Sequence, residues 1–336
     1  MEKMNVRFFA ESAREKIRGK DVRSLTVFHT GITVAAALVI TLLQFALAKG
    51  IGNTSGLSGM GTRSVLETIQ TILRWANMVL LPFWSLGFLY ASLLWARDRY
   101  ARKEDLLMGF HRFGPCLSLL LNRAVLSILV MILCVNISSA VFMMTPAAAP
   151  LMELAEAAGG DMEAMNGMLA QMSWEDTMAL ANTLLPMLIL WGIFCLVILV
   201  PLMYRFRMAE YVILEEPLAR GLSSMLISAA LLRRRCWKLL RLDLHFWWYY
   251  GLKFLCMLLC YADLLMTAMG VSLPMGGDAA SLATYGLYLI ALFGVEVAFR
   301  PRVDTAYANL FLALKEMGPA QKKAPAAPQN MPWDEA

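Results

Sequence analysis

The stretch YYGLKFLCMLLCYADLL, residues 249 to 265, carries Lys253, Cys256, Cys260 and Asp263 at spacings of 3, 4 and 3. In a helix that spacing puts all four side chains on one face. The rest of the stretch is apolar, and a charged group inside a membrane-spanning helix is costly unless it has a partner, a route to water or a task. Depth supplies two partners. Glu296 lies near the inner end of the last apolar run, level with Lys253, and Arg74 lies near the outer end of the second, level with Asp263. The expectation is two ion pairs, Lys253 with Glu296 and Asp263 with Arg74. Two rivals stay open: the same polar face lining a transport path, and long side chains snorkelling to the headgroups.

The elements that must hold these residues are set by composition. Of 336 residues 59% are hydrophobic and 16% charged, with mean hydropathy +0.58, against about 25% charged in soluble domains. A bilayer core takes roughly 20 apolar residues per helix. Six runs qualify, near 25–47, 69–95, 125–144, 180–204, 246–269 and 282–299. They are continuously apolar, where a transmembrane barrel would alternate. The expected fold is all-α: a polytopic helical bundle of about six transmembrane helices, forming one integral membrane domain over 1–317. The Pro- and Ala-rich segment 318–336 reads as a disordered cytoplasmic tail. The charged first 24 residues do not resemble a secretory leader, so no cleavage is expected and the first run is read as a retained anchor.

Charge orients the bundle. Of the 30 Lys and Arg, all but Lys49, Arg63 and Arg74 fall on one side of the six-helix arrangement. Between Arg123 and Arg205 there is no Lys or Arg, although that interval holds Glu153, Glu156, Asp161, Glu163, Glu175 and Asp176. The positive-inside rule gives both termini in the cytoplasm. The net charge of +5 is therefore a topology signal, and no nucleic-acid partner is implied. All six cysteines fall in helices or on the inner side, so no disulfide framework is expected.

Two inner segments are amphipathic. Val6, Phe9, Ala13 and Ile17 recur at helical spacing among cations, which suits either a helix lying on an anionic leaflet or a solvated lead-in. The segment EEPLARGLSSMLISAALLRRRCWKLLRLDL reads as a helix whose apolar face is Leu218, Leu222, Met225, Leu226, Ala229 and Leu232. It ends in Arg233, Arg234, Arg235, Lys238 and Arg241, a cluster read as a contact for anionic lipid headgroups, with a protein partner as the other candidate.

The runs YRFRMAEYVILEEPLARGLSSMLISAALL and WKLLRLDLHFWW, with RPRVDTAYANLF and GFHRF, resemble a bacterial integral-membrane family catalogued as domain of unknown function 975. Tyr204, Met208, Ala209, Tyr211, Pro217, Ser228, Leu239, Leu242, Asp243, Leu244, Phe246, Pro301, Thr305 and Ala308 fit its pattern. Leu232, Arg233, Arg234, His245, Trp248 and Arg302 depart from it. The resemblance covers roughly the last two fifths of the chain and implies a helical fold in the bacterial cell membrane with no agreed activity.

No phosphate-cradling loop, nucleophile elbow or zinc-protease motif occurs. Met162, Met165, Met168 and Met172 recur at helical spacing in the acidic loop. Clustered thioethers bind Cu(I), but the 24 methionines are spread throughout the chain and an apolar face is the favoured reading. No catalytic residue, cofactor or metal is assigned. The functional expectation is a non-enzymatic multi-pass protein whose basic face binds anionic lipid or a protein partner. The alternative is a transporter or channel component with a polar site on the fifth helix.

Overall fold

The computed structural model describes residues 6–53, 60–159, 167–168, 172–262 and 277–318. Among these residues the regular structure is entirely helical, as apolar spanning segments require when no water is present to satisfy the backbone. Five helical stretches are long and apolar enough to cross a bilayer: Val22–Gly50, Ser64–Ala96, Phe113–Met143, Met178–Glu215 and Ser281–Glu316. The run expected at 246–269 does not reach that length among the described residues, because its helix is Trp247–Cys260 and residues 263–276 lie outside them. Asp263 is thus outside the described residues, as are Met162, Met165 and the tail beyond Gly318.

The helices overrun the expected limits. Hydropathy marks where a chain meets the bilayer surface, whereas a helix continues as long as its backbone bonds and packing allow. The first two long helices are α2 (Val22–Asn53) and α3 (Met60–Ala96), preceded by α1 (Val6–Ile17). Next, α4 spans Phe113–Met143 and starts twelve residues before the expected Val125. At the other end of the chain a single helix runs from Gly277 to Glu316, through Pro301.

The described residues divide into two compact units, one within 1–117 and 208–336, the other within 118–207. The second contains the rest of α4, a 3-10 turn at Pro146–Ala148, α5 (Ala149–Ala157) and α6 (Trp174–Phe194), then a π-helical turn over Cys195–Leu199 and α7 (Val200–Phe206). Ser173 caps α6 by accepting from Asp176 N at 3.2 Å. Glu175 and Asp176 stand in its first turn, where negative charge meets the positive end of the helix dipole.

The first unit adds α8 (Ala209–Glu215), α9 (Gly221–Leu232), α10 (Cys236–His245), α11 (Trp247–Cys260) and α12 (Gly277–Glu316) to α1, α2 and α3. Its axis is the C-terminal half of α12. There Val303, Ala306, Tyr307, Ala308, Leu310, Phe311 and Leu314 are all buried, and a helix buried on every side is a core helix. This burial explains how the helix survives Pro301. A proline inside a helix costs about 3 kcal/mol, whereas burying each large apolar side chain contributes about 1.5–3 kcal/mol, so Leu310, Phe311 and Leu314 together outweigh it.

Two sequence expectations are corrected here. Helix α1 forms, but its apolar face is not laid on a leaflet: Phe9, Ala10 and Ala13 are buried and α1 packs along α12. In α9 the expected apolar face is split: Met225 and Leu232 turn inward with Gly221, Ser224, Ser228 and Leu231, while Leu222 and Leu226 of the helix, and Leu218 just before it, are 60%, 61% and 95% exposed. Small serines allow close approach and bring their own hydrogen bonds. Ser228 Oγ accepts from Met208 N at 3.2 Å, and Ser224 Oγ donates to Arg220 O at 2.9 Å.

Close approach also fixes α3. The 3-10 turn Lys103–Leu107 and the single α-turn Met108–His111 fold back on it. A Cβ on Gly87 would lie 1.7 Å from Leu106 O, and one on Gly109 would lie 2.1 Å from Phe83 O. Only glycine allows the two backbones to touch at these points.

Candidate functional site: an ion chain between two helices

Glu296, Arg300 and Asp304 sit at i, i+4 and i+8 of α12, and so share one face. Lys253 faces them from α11. Lys253 Nζ lies 2.6 Å from Glu296 Oε1, so the pair expected from depth alone is formed. Tyr249, one turn before Lys253, donates from its hydroxyl to the same Oε1 at 3.3 Å. On the far side Arg300 Nε stands 3.4 Å from Glu296 Oε2 and 3.2 Å from Asp304 Oδ2. Two cations and two anions alternate, so the chain of four is neutral. Its inner members are sheltered and its Lys253 end is half-open: the Glu296 side chain is 8% exposed and that of Lys253 is 41%.

Aromatic groups complete the surroundings. The Arg300 guanidinium lies over the Phe88 ring of α3, 4.7 Å from its centroid, an attraction of about 0.5–2 kcal/mol depending on desolvation. Tyr211 donates to the Asp304 carbonyl oxygen at 3.2 Å and stacks on Phe311. A second polar knot adjoins the first. The Tyr307 hydroxyl donates to Asp243 of α10, and Tyr250 of α11 lies 2.8 Å from the Tyr307 hydroxyl.

Between α2 and α3 a third polar contact is reciprocal. His29 Nε2 donates to Trp84 O at 3.2 Å, while Trp84 Nε1 donates to His29 O at 3.2 Å and to Thr33 Oγ1 at 3.1 Å. Since a carbonyl can only accept, the first of these bonds places a proton on Nε2. The two rings stack with centroids 5.0 Å apart. His29 also meets Phe88 at 4.7 Å, so one aromatic ring has the imidazole and the Arg300 guanidinium as neighbours.

Of the sequence-derived site residues, Lys253, Cys256, Cys260 and Glu296 are brought to the α11–α12 region. Cys256 is buried and Cys260 half-buried, and both are free thiols. Arg74 is exposed on α3, and its pairing with Asp263 falls outside the described residues. The basic cluster is split. Arg233, Arg234 and Arg241 are exposed and Lys238 is half-buried. Arg235 instead donates to Gly318 O at 2.8 Å, closing the end of α12. Arg241 covers the Trp237 ring at 5.5 Å. Sequence reasoning missed Arg300, Asp304 and Tyr249. The i, i+4, i+8 run of charge from Glu296 was the available signal.

A cavity of about 830 Å³ opens among α1, the end of α3 and α12. Its charges are largely spent on one another: Arg97 binds Glu215, Lys315 lies 3.1 Å from Glu215 Oε2, and Lys16 and Lys20 both reach Asp98. Among the described residues no group of three or more His, Cys, Asp or Glu is placed to hold a metal.

Described residues whose regular structure is all helical, with five apolar helices of spanning length among them, define a membrane protein by class. No family model, curated protein or solved structure matches it.

Proposed function

We propose that this chain is a non-enzymatic protein of the bacterial cytoplasmic membrane, with six spans and both termini inside, that seats its basic cytoplasmic helices on anionic lipid. The sixth span is the apolar run read from the sequence at 246–269, whose described part is α11 (Trp247–Cys260). The likeness to the family of unknown function 975 belongs to this reading.

The observation that carries it is the outward face of α9. Leu218, Leu222 and Leu226 are exposed on a segment that ends in the exposed cations Arg233 and Arg234, with the exposed rings of Trp237 and Trp247 beyond. Apolar side chains pointing away from the core, with cations and tryptophans beside them, have the composition of an element lying in a headgroup layer. The neutral ion chain supports a structural role for the intramembrane charges, because each cation faces an anion instead of an open path.

A nitroxide at position 226, attached to Leu226→Cys in a background with the six native cysteines replaced by alanine, tests the seating. In vesicles containing phosphatidylglycerol it is expected to collide more with dissolved oxygen than with a water-soluble nickel chelate. Preferential access to the chelate would mean that α9 faces water and would favour a protein partner for this surface.

A further inference from the structure

A second cavity, of about 650 Å³, lies where the start of α2 meets α12. It falls within the range of about 300–1,000 Å³ usual for small-ligand sites. Its lining has two halves. Phe293, Gly294, Val297 and Ala298 of α12, with Ile17 and Val22, form an apolar half, and Lys20, Arg23 and Arg302 form a cationic one. No carboxylate lines it. Asp98 approaches the lining from outside, 3.5 Å from Lys20 Nζ, and is shared with Lys16 at 3.8 Å. Asp21, between Lys20 and Val22 in the chain, is exposed and not part of the lining. Three cations, Lys20, Arg23 and Arg302, thus face the cavity with no acid in its lining, a surplus of positive charge. Arg302 Nε is moreover buried with no hydrogen-bond partner, a costly condition for a charged donor.

We propose that this cavity is a binding site for one anionic phospholipid. Its phosphate lies among Lys20, Arg23 and Arg302, and the upper part of an acyl chain runs along Phe293, Gly294 and Val297. The guanidinium geometry suits a phosphate, which accepts paired hydrogen bonds from arginine. The apolar half selects a lipid over a free phosphate. The position fits too, since Val22 opens the first span of crossing length and Arg302 comes just after the last apolar run of the sequence, 282–299. This site rests on the lipid-facing reading above, but it involves residues separate from α9 and from Arg233 and Arg234.

Native mass spectrometry of the intact protein in detergent, titrated with phosphatidylglycerol, phosphatidylcholine or inorganic phosphate, tests it. Wild type is expected to retain one phosphatidylglycerol at least tenfold more tightly than phosphatidylcholine, and excess inorganic phosphate should not displace it. Arg23→Gln/Arg302→Gln should abolish that preference, while Arg302→Lys should keep most of it. Gly294→Leu adds carbons to the apolar half from a Cβ position that itself meets nothing within 4 Å. It should weaken retention with every cation in place, and so separates loss of the site from loss of fold. Equal retention by wild type and the double variant would overturn the proposal, and displacement by inorganic phosphate would make this a phosphate site without a lipid. Retention lost only with Arg233→Gln/Arg234→Gln would sink the cavity while sparing the α9 reading. Retention lost only with the cavity variants, alongside a water-exposed label at position 226, would do the reverse.

Discussion

Lys253 Nζ of α11 stands 2.6 Å from Glu296 Oε1 of α12, and Arg300 Nε approaches the other oxygen of the same carboxylate at 3.4 Å. One buried anion thus serves two cations on two helices, and Asp304 restores neutrality one turn further along. Such a chain is not a large source of stability, since desolvating four charges offsets most of their attraction. It does make register expensive to change. Sliding α11 by one turn, about 5.4 Å, would leave Lys253 and Glu296 without each other.

The backbone contact at Gly87 makes a strong local prediction. In Gly87→Ala the new methyl would meet the Leu106 carbonyl at 1.7 Å, so α3 and the Lys103–Leu107 turn must separate. Overpacking of this kind costs about 1–3 kcal/mol or more, and thermal unfolding in detergent should show a marked loss. Gly192→Ala in α6 meets nothing within 4 Å. There the higher helix propensity of alanine should leave stability unchanged or raise it by up to about 1 kcal/mol.

Topology is tested by labelling. In the cysteine-free background, Glu175→Cys at the start of α6 should react with an impermeant maleimide added to intact cells, and Glu104→Cys in the turn after α3 should react only after lysis. Both positions are exposed, so burial does not blur the comparison. The reverse pattern would invert the proposed orientation.

The three consecutive arginines should behave differently. Arg235 closes α12 through Gly318 O at 2.8 Å, and losing a charged hydrogen bond of this kind costs about 1.5–3 kcal/mol at most. Arg235→Gln should therefore speed proteolysis near residue 318. Arg233→Gln and Arg234→Gln, both exposed, should leave that rate unchanged. Equal sensitivity of all three variants would remove the distinction.

The legible part of the fold was what hydropathy encodes, the apolar segments. The Lys253 and Glu296 pair could be read because both residues lie inside such segments and their depths follow from counting. Arg300 and Asp304 escaped because the last span was ended at Phe299, where hydropathy falls. The helix itself continues to Glu316, since its far half is buried by α1 and its other neighbours. In α9 the apolar periodicity is real but ambiguous: Leu222 and Leu226 line the outer side, whereas Ser224 and Ser228, with satisfied hydroxyls, share the inner one with Met225, Leu231 and Leu232. Which side turns inward depends on α8 and α12, information that does not reside in the segment. Tyr249 and Tyr307 gave no local signal at all, because their partners lie 47 and 64 residues away.

The central claim, that the intramembrane charges hold the helices together and do not carry a substrate, is tested most directly by a double-mutant cycle on Lys253 and Glu296, read by thermal unfolding in detergent. Lys253→Met should cost about 1 kcal/mol or less, since that side chain is half-open to its surroundings. Glu296→Gln strips the shared partner from two cations and should cost about 3 kcal/mol, the lower end for breaking a buried pair. The double variant retains the Arg300 and Asp304 pair, so its loss should fall short of the sum by about 1 kcal/mol, a coupling typical of residues in one network. Strictly additive losses would contradict the pairing. A thermally silent Glu296→Gln that abolished an ion flux in vesicles would contradict the account as a whole and place Glu296 on a transport path.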